Sequence, residues 1–462
     1  MNGSGTLKLA FYGDDFTGST DAAECLAFAG LRTLLFLKPP TVEDLARFPG
    51  LEAIGVAGDS RAMTPSEMDE KLPSILASLQ KLGAPLVHYK TCSTFDSSPA
   101  TGSIGRIMDI ARNYFHGRSV PIVVGAPALG RYCLFGNLFA RAGIDGEIYR
   151  LDRHPTMSVH PVTAMDEADI RRHLSRQTSQ TVGLFDYLQC AGNNEAVDER
   201  FDRLLESDVD AVLFDVVDRD QLTTVGRLLT TIARDDSALF VVGSSGVEYA
   251  LTQWWRQQGE LPETVNSPVK PGSVDQILVV SGSASPVTAS QIDAAVSQGY
   301  ACVAVNPVAL MNGNGDEAIG HVARQAVNSL RSGKNVLIHT SHGPHDPRIG
   351  ALNAALRGRG MSAAEVKSYG GRELGKRLGH VLKEVLSEVD LTRVVVAGGD
   401  TSSHATQALG LDALEIIAPI APGGPLCRAV APGRRVDGLE ITLKGGQVGH
   451  RDFFEAVRMG RM

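Results

Sequence analysis

The chain has 462 residues, of which 43% are hydrophobic and 21% are charged, and its formal net charge at pH 7 is −8. This length predicts two or three globular domains, and an acidic chain without a basic stripe argues against a general nucleic-acid binder. No apolar run approaches the ~20 residues that span a membrane, and the six cysteines lack the spacing of a zinc site or a disulfide framework. We therefore expect a soluble cytoplasmic protein without a signal peptide. Its expected partners are small molecules, not nucleic acid or membrane, and the sequence leaves a homo-oligomer open.

Short apolar runs alternate with helical patterns along the chain, as in proteins whose parallel strands are covered by helices. The first half predicts strands at residues 7–12, 33–37, 53–57, 86–90, 121–125, 181–185, 211–215 and 239–243. Glycines and prolines interrupt this pattern between residues 257 and 275, which indicates a linker. The second half predicts strands at residues 277–280, 301–305, 335–339, 393–397 and 415–419, an edge strand at 439–443 and a helix at 452–458.

The alternation predicts two doubly wound α/β domains with mainly parallel sheets. We place them at residues 1–265 and 275–462, joined near residue 270. In open α/β sheets ligands bind beyond the carboxyl ends of the strands, and domain interfaces are common ligand sites. A cleft between the two domains is therefore the expected binding site.

Two adjacent carboxylates follow the first predicted strand. This strand leads into Gly13-Asp14-Asp15-Phe16-Thr17-Gly18 and then into an alanine-rich helix that ends at Gly30. A carboxylate at the end of such a strand can hold Mg²⁺ or accept a proton from a substrate hydroxyl. The alternative is that one aspartate caps the helix and the other is a solvated turn residue.

Two further segments of the first half carry cations. Arg61 follows the strand at residues 53–57 and could bind a substrate carboxylate through two hydrogen bonds, although a surface position is the alternative. Lys90-Thr91-Cys92-Ser93-Thr94 combines a lysine with several hydroxyl groups, which suits a polyhydroxylated anion. The alternative is a polar loop, and Cys92 itself is expected to be a packing residue because no histidine lies nearby to activate it.

Three predicted strands of the second half end in loops rich in glycine. The loops are Ser281-Gly282-Ser283, Gly398-Gly399-Asp400-Thr401-Ser402 and Lys444-Gly445-Gly446. A strand that ends at glycines and enters a helix presents backbone N–H groups at the positive end of the helix, which suits phosphate. Ser402 or Ser403 is the predicted N-cap of the second of these helices. Gly423 lies in another glycine-rich loop, and the lysine at 444 could offset phosphate charge.

Two other patterns do not predict a site. Gly370-Gly371-Arg372-Glu373-Leu374-Gly375-Lys376-Arg377 nearly matches a P-loop, but it ends in arginine where the metal-binding hydroxyl must stand, and no buried strand precedes it. The histidines at positions 339, 342 and 345, and the pairs His154-Pro155 and His160-Pro161, lack zinc-ligand spacing. We therefore predict no metal site formed by the protein alone.

Taken in chain order, the segments 13–18, 90–94, 281–283, 398–402 and 444–446 resemble the motifs of the four-carbon acid sugar kinases over essentially the entire chain. The resemblance implies an N-terminal domain that binds D-threonate, D-erythronate or 3-oxo-tetronate, and a C-terminal domain that binds ATP with Mg²⁺. It also implies phosphorylation of the terminal hydroxyl of the acid. Asp14 or Asp15 would then orient this hydroxyl and accept its proton, while Arg61 and Lys90 would bind the carboxylate.

Two other classes of protein remain open. A non-catalytic sugar-acid sensor also has two α/β lobes, but the phosphate-type loops of the second half count against it. A dehydrogenase requires G-x-G-x-x-G after a strand. The segment Ser281-Gly282-Ser283-Ala284-Ser285-Pro286 lacks those glycines.

Overall fold

The computed structural model of the chain describes residues 7–143, 146–160, 162–235, 238–263, 270–312 and 315–461. By contacts the chain divides into two compact units, residues 1–265 and 266–462. Residues 264–269 of the expected linker lie outside the described residues. None of the helices in the described ranges is long and apolar enough to span a membrane.

The first unit is an α/β unit with one large parallel sheet. Its described strands are β1 (Leu9–Gly13), β2 (Thr33–Phe36), β3 (Ala53–Ala57), β4 (Leu86–Lys90), β5 (Val120–Val123), β6 (Arg131–Leu134), β7 (Asn137–Arg141), β8 (Ile148–Arg150), β9 (Val182–Phe185), β10 (Ala211–Phe214) and β11 (Leu239–Gly243). Eight of them form the parallel sheet in the order β2-β3-β1-β4-β11-β5-β10-β9. The strands β6, β7 and β8 form a separate antiparallel meander that the sequence analysis did not predict.

The helices of the first unit follow the expected capping rules. They are α1 (Phe16–Ala29), α2 (Val42–Ala46), α3 (Pro65–Lys81), α4 (Ile104–Ala111), α5 (Ile170–Leu174), α6 (Asn194–Glu206), α7 (Arg219–Asp235) and α8 (Gly246–Gln257). Helix α1 ends as predicted at Gly30, whose φ of 105° is a left-handed conformation that glycine adopts without steric cost.

The second unit has the same layered architecture. Its described strands are β12 (Leu278–Ser281), β13 (Ala301–Ala304), β14 (Val336–His339), β15 (Arg393–Ala397), β16 (Ala413–Ala418), β17 (Leu426–Val430) and β18 (Glu440–Lys444). They lie in the order β13-β14-β12-β15-β18-β17-β16, and β17 is antiparallel to both of its neighbours. The helices are α9 (Pro286–Ser297), α10 (Pro307–Met311), α11 (Gly315–Arg331), α12 (Pro347–Arg357), α13 (Ala363–Glu388), α14 (Gly399–Leu409) and α15 (Phe453–Met459).

Three details of the second unit can be compared with the sequence analysis. The strand at residues 439–443 is predicted at the sheet edge, but β18 lies inside the sheet, between β15 and β17. This prediction is wrong because it does not include β17. The predicted N-cap at Ser402 or Ser403 is also wrong, since α14 begins at Gly399 with Gly398 as its N-cap. The rejection of the P-loop is confirmed, because residues 370–377 lie inside the long helix α13.

The order of strands reverses at one position in each sheet. In the first sheet the chain continues from β1 to β2 and β3, which lie on one side of β1. The next strand, β4, lies on the other side of β1, and the chain continues from it to β5, further out on that side. In the second sheet β12 and β15 have the same relation, so the orders β2-β3-β1-β4 and β13-β14-β12-β15 match. Open α/β sheets bind ligands where the chains leave two neighbouring strands in opposite directions. Ligand sites are therefore expected at the loops after β1, β4, β12 and β15.

Glycines on α13 allow it to pack closely against α14. A Cβ atom at Gly379 would lie 2.7 Å from the Cβ of Ala408 and 2.9 Å from the Cα of Ala405. At Gly350, inside α12, a Cβ would meet no atom within 4 Å. Substitution of either glycine by alanine raises the helix propensity at that position. The difference in stability between the two variants therefore reports the steric contact at Gly379.

We predict that Gly379→Ala lowers the free energy of unfolding by about 1–3 kcal/mol, because the two helices must move apart. Gly350→Ala should be neutral or raise it by up to ~1 kcal/mol. Urea denaturation of both variants measures this difference. Equal effects of the two substitutions would show that α13 and α14 do not pack as described.

Candidate functional site

The loops after β1 and β4 in the first unit are joined by backbone hydrogen bonds. The Asp14 N–H donates to the Lys90 carbonyl at 2.8 Å, and the Arg61 N–H donates to the Asp14 carbonyl at 2.9 Å. The fold thus brings together three side chains that lie far apart in the sequence. These are the carboxylate and the two cations that the sequence analysis singled out.

The Arg61 guanidinium is bound by the two aspartates of the first loop. Its Nη2 and Nε donate to Asp14 Oδ1 and Oδ2 at 2.7 and 3.2 Å. Its Nη1 donates to Asp15 Oδ2 at 2.8 Å. Each of its three nitrogens therefore has a carboxylate partner, although the sequence suggested that this arginine would bind the carboxylate of a substrate.

Asp14 and Asp15 have different surroundings. Asp15 is the N-cap of α1, and its Oδ1 accepts the Gly18 N–H at 2.7 Å. The capping alternative is thus confirmed for Asp15, whereas Asp14 is only 4% exposed and is not a solvated turn residue. Burial raises the pKa of Asp14, against the opposing charge of Arg61. A buried carboxylate with a raised pKa is suited to accept a proton, so Asp14 is the better candidate base.

Lys90 is a buried cation held at the end of β4. Its Nζ lies 3.6 Å from Asp21 Oδ2 on α1 and donates to the Thr91 carbonyl at 2.9 Å. Thr91 is fixed in turn, because its N–H and its hydroxyl both donate to the carbonyl of Gly243, at 2.6 and 3.0 Å. The lysine is therefore held in place at the strand end.

Gly18 is closely surrounded by these groups, so that a side chain does not fit there. A Cβ at Gly18 would lie 2.5 Å from Asp15 Oδ1, 3.3 Å from Lys90 Nζ and 3.7 Å from Arg61 Nη2. A carboxylate and two cations thus converge on one point beside the first turn of α1.

The rest of the segment after β4 forms a compact polar turn. The Cys92 Sγ lies 3.0 Å from the Thr94 hydroxyl, which donates to Asp96 Oδ1 at 2.6 Å. Half-buried Ser93 lies between them in the chain. Burial raises the pKa of the Cys92 thiol to about 11, so it is protonated at neutral pH and unreactive. This supports the interpretation of Cys92 as a packing residue.

The sequence analysis missed two charged residues at this site. Asp21, which faces Lys90, lies one helical turn beyond Gly18, and the periodicity of α1 could have identified it. Arg131 is the first residue of β6, and the charge of Asp21 acts on its guanidinium. No signal in the sequence places it there, because the turn before β6 folds the chain back by an unpredicted route.

The predicted loops of the second unit also meet at neighbouring strand ends. Ser281, Ala397 and Lys444 are aligned across β12, β15 and β18. The Gly282 N–H donates to the Ala397 carbonyl at 3.1 Å, and the Gly398 N–H donates to the Lys444 carbonyl at 2.9 Å. The same contact joins β1 to β4 in the first unit.

Close contacts between these loops require glycine. A Cβ at Gly282 would lie 2.2 Å from Thr401 Oγ1, and a Cβ at Gly446 would lie 2.8 Å from Ser283 Oγ. Gly398 has a φ of 120°, which residues with a side chain rarely adopt. The three loops therefore form one surface of backbone and hydroxyl groups, as a phosphate site needs.

The other predicted nucleotide contacts lie around this surface. Gly399 and Asp400 are exposed in the first turn of α14. Ser402 is buried, and its hydroxyl donates to the Val396 carbonyl at 3.4 Å, so it faces β15 and not the loops. A Cβ at Gly423 would lie 3.8 Å from Val448, in the chain that follows the loop after β18.

Lys444 is a buried ammonium group at the end of β18. It is fully buried, its Nζ donates to the Thr288 hydroxyl at 3.2 Å, and the Phe453 ring centroid lies 5.8 Å away. Within the described ranges it has no carboxylate at ion-pair distance. Burial lowers the pKa of Lys444 to about 7. An incoming anion would favour its charged form, so the site is suited to bind phosphate.

We predict that Lys444→Met is more stable than the wild type at pH 7 by about 1–4 kcal/mol, since an apolar group replaces a buried charge. Between pH 7 and the ordinary lysine pKa of 10.5, the unfolded chain holds a proton that the folded chain has released. The contribution of Lys444 to the free energy of unfolding therefore rises with pH across this range, and the advantage of the variant should shrink toward pH 10.

Chemical denaturation at pH 7, 8.5 and 10 measures this difference. Lys334→Met, which removes an exposed lysine before β14, is the matched control and should show no such trend. A constant difference between Lys444→Met and the wild type over this range would contradict the prediction.

Comparison with known proteins agrees with the division of the chain. The family model described as "Sugar-binding N-terminal domain" matches residues 9–251, and the one described as "Nucleotide-binding C-terminal domain" matches residues 278–454. The two sets of converging loops thus lie in segments that match a sugar-binding and a nucleotide-binding domain, respectively.

Similar proteins match over nearly the full chain. A 3-oxo-isoapionate kinase of Paraburkholderia graminis is 47% identical over 457 residues, covering 99% of this chain and 95% of that protein. A 3-oxo-tetronate kinase of Methylobacterium radiotolerans is 32% identical over 462 residues, covering 97% and 98%. A solved structure from Salmonella typhimurium LT2 has a TM-score of 0.75 at 23% identity, covering 99% and 100%, a likeness that bears on the fold alone.

Proposed function

The chain belongs to the four-carbon acid sugar kinase family, and from this premise we propose that it phosphorylates the terminal (O4) hydroxyl of a 3-oxo sugar acid with ATP. The 3-oxo group is common to the names of the relatives, which are kinases of 3-oxo-isoapionate and of 3-oxo-tetronate. D-Threonate and D-erythronate, which lack this group, are the other acids of the class.

The observation that carries this proposal is the buried ammonium of Lys444 among three glycine-rich loops. Phosphoryl transfer depends on positioning and on neutralisation of the phosphate charge more than on covalent catalysis. A lysine with no carboxylate at ion-pair distance among the described residues, hydrogen-bonded to Thr288 in the first turn of α9, provides that neutralisation. Nucleotide phosphates would occupy this surface.

The first unit supplies the groups for the acceptor. As the O4 oxygen of the acid attacks the γ-phosphorus, the bond to the bridging oxygen breaks and ADP leaves. The hydroxyl proton passes to a carboxylate, and Asp14 is the buried carboxylate with the raised pKa. Arg61 holds both oxygens of Asp14 in position. Asp15, as the cap of α1, fixes the loop that carries it.

Mg²⁺ would neutralise the β- and γ-phosphate oxygens of the nucleotide. It is commonly held by one or two carboxylates together with phosphates and water. Asp400, exposed in the first turn of α14, fits this role. A Cβ at Gly371 would lie 2.5 Å from Asp400 Oδ2, so this carboxylate packs against a position of α13 where only glycine fits.

The direct test is release of ADP by the purified protein with Mg-ATP and a panel of acids. The panel contains 3-oxo-tetronate, 3-oxo-isoapionate, both enantiomers of threonate and of erythronate, and a blank without acid. We expect ADP formation that depends on a 3-oxo acid, and mass spectrometry should show one added phosphate. An acid that binds by calorimetry with no ADP from any member of the panel would favour the sugar-acid sensor.

We predict that Asp14→Asn lowers kcat by about 10²–10⁴-fold, the usual contribution of a general base. Asp15→Asn should keep kcat within about tenfold and mainly lower the free energy of unfolding, by about 0.5–2 kcal/mol, because a helix cap is weakened. Steady-state kinetics and urea denaturation of both variants test the two roles. Full turnover in Asp14→Asn with none in Asp15→Asn would reverse the assignment.

A further inference from the structure

The proposed substrate carries a carboxylate, and the loops after β1 and β4 alone do not identify the group of the protein that binds it. This question rests on the proposed function. Arg61 is already engaged by the protein, because Nε, Nη1 and Nη2 each donate one hydrogen bond to Asp14 or Asp15. Lys90 faces Asp21 at 3.6 Å. Both cations of these loops thus already face carboxylates of the protein, which favours a third cation as the partner of the acid.

Arg131 lies at the same edge of the sheet. Gly243 at the end of β11 is paired with Lys90 of β4 on one side and with Val123 of β5 on the other. Three residues beyond β5, Ala126 and Arg131 form an antiparallel bridge, with N–H to carbonyl distances of 3.0 and 3.2 Å. The chain after β5 therefore returns Arg131 to the strand ends beside the Lys90 loop.

The hydrogen-bonding capacity of the Arg131 side chain is incompletely used. Its Nη1 donates to the Leu129 carbonyl at 2.6 Å, whereas its buried Nε has no acceptor. Among the described residues no carboxylate lies at ion-pair distance from it. Burial lowers the pKa of Arg131, although the charge of Asp21 acts in the opposite direction. A partly buried guanidinium without an anion is costly, and a bound carboxylate would offset that cost.

We propose that Arg131 binds the carboxylate of the sugar acid. A guanidinium matches a carboxylate through two parallel N–H···O bonds, which fixes the direction of the ligand as well as its charge. The acid would be held at one end by Arg131, so that its far hydroxyl is left for Asp14. The carboxylates of Asp14 and Asp15 are ion-paired with Arg61, and no ion pair joins either of them to Arg131 among the described residues.

The test compares Arg131→Met and Arg131→Lys with the wild type, using the best acceptor of the panel and its C1 amide, which is neutral. Arg131→Met should raise KM for the acid by about 10–100-fold, the usual effect of losing a charge-assisted pair. The values of kcat and of KM for ATP should stay within about threefold, and Arg131→Lys should recover part of the loss. KM for the amide should be nearly the same in the wild type and in Arg131→Met.

Arg118→Met, an exposed arginine before β5, is the matched control and should leave every constant unchanged. A thermal melt without ligand separates binding from folding. A structural arginine would lower the melting temperature when replaced, whereas Arg131→Met should keep or raise it. An unchanged KM for the acid in Arg131→Met, or equal losses for the acid and the amide, would overturn the proposal while the kinase function stands.

If the wild type phosphorylates no acid, the proposed function fails and calorimetric binding of 3-oxo-tetronate becomes the measurement. Binding to the wild type that disappears in Arg131→Met supports the carboxylate site by itself. Equal binding to both, or no binding to the wild type, overturns it.

Discussion

Both sites depend on one geometric constraint, the divergence of the chain after two neighbouring parallel strands. Strands β1 and β4 in the first unit, and β12 and β15 in the second, have parallel backbones whose following segments leave in opposite directions. At that point the first loop donates a backbone hydrogen bond to the end of the neighbouring strand, from Asp14 to Lys90 and from Gly282 to Ala397. Side chains distant in the sequence are thereby fixed within a few ångströms of each other.

The two sites use charge differently. In the first unit Arg61 forms ion pairs with two aspartates and holds Asp14, the proposed base, buried in a defined orientation. In the second unit Lys444 is buried with a hydroxyl and an aromatic ring as neighbours, and burial moves its pKa to about 7. Neither arrangement is the most stable that the fold allows, because apolar residues would avoid the cost of desolvation. Such local conflicts with stability are typical of functional sites.

Much of the fold follows from local sequence, because buried parallel strands are short apolar runs that end at glycine or polar residues. The strands at residues 53–57, 86–90, 239–243 and 393–397 have the predicted bounds. The predictions that are wrong concern contacts between residues that lie far apart in the sequence. β18 was predicted as an edge strand because β17, which carries Arg428 in its centre, does not look like a strand. Likewise, the sequence suggests cations for a ligand, but only the fold shows that Arg61 already has two carboxylate partners.

The strands of the meander β6–β8 pair with each other and, among the described residues, join the rest of the unit only through isolated bridges. Its buried residues Cys133, Leu138 and Ala140 nevertheless share one core cluster with Tyr12 and Tyr89 of the large sheet. The other residues of β6 and β8 are half-buried or exposed, so they can change with little effect on the strands that carry Asp14 and Lys90. If Arg131 binds the acid as proposed, substitution at these positions is a route by which substrate preference can diverge while the chemical step is retained.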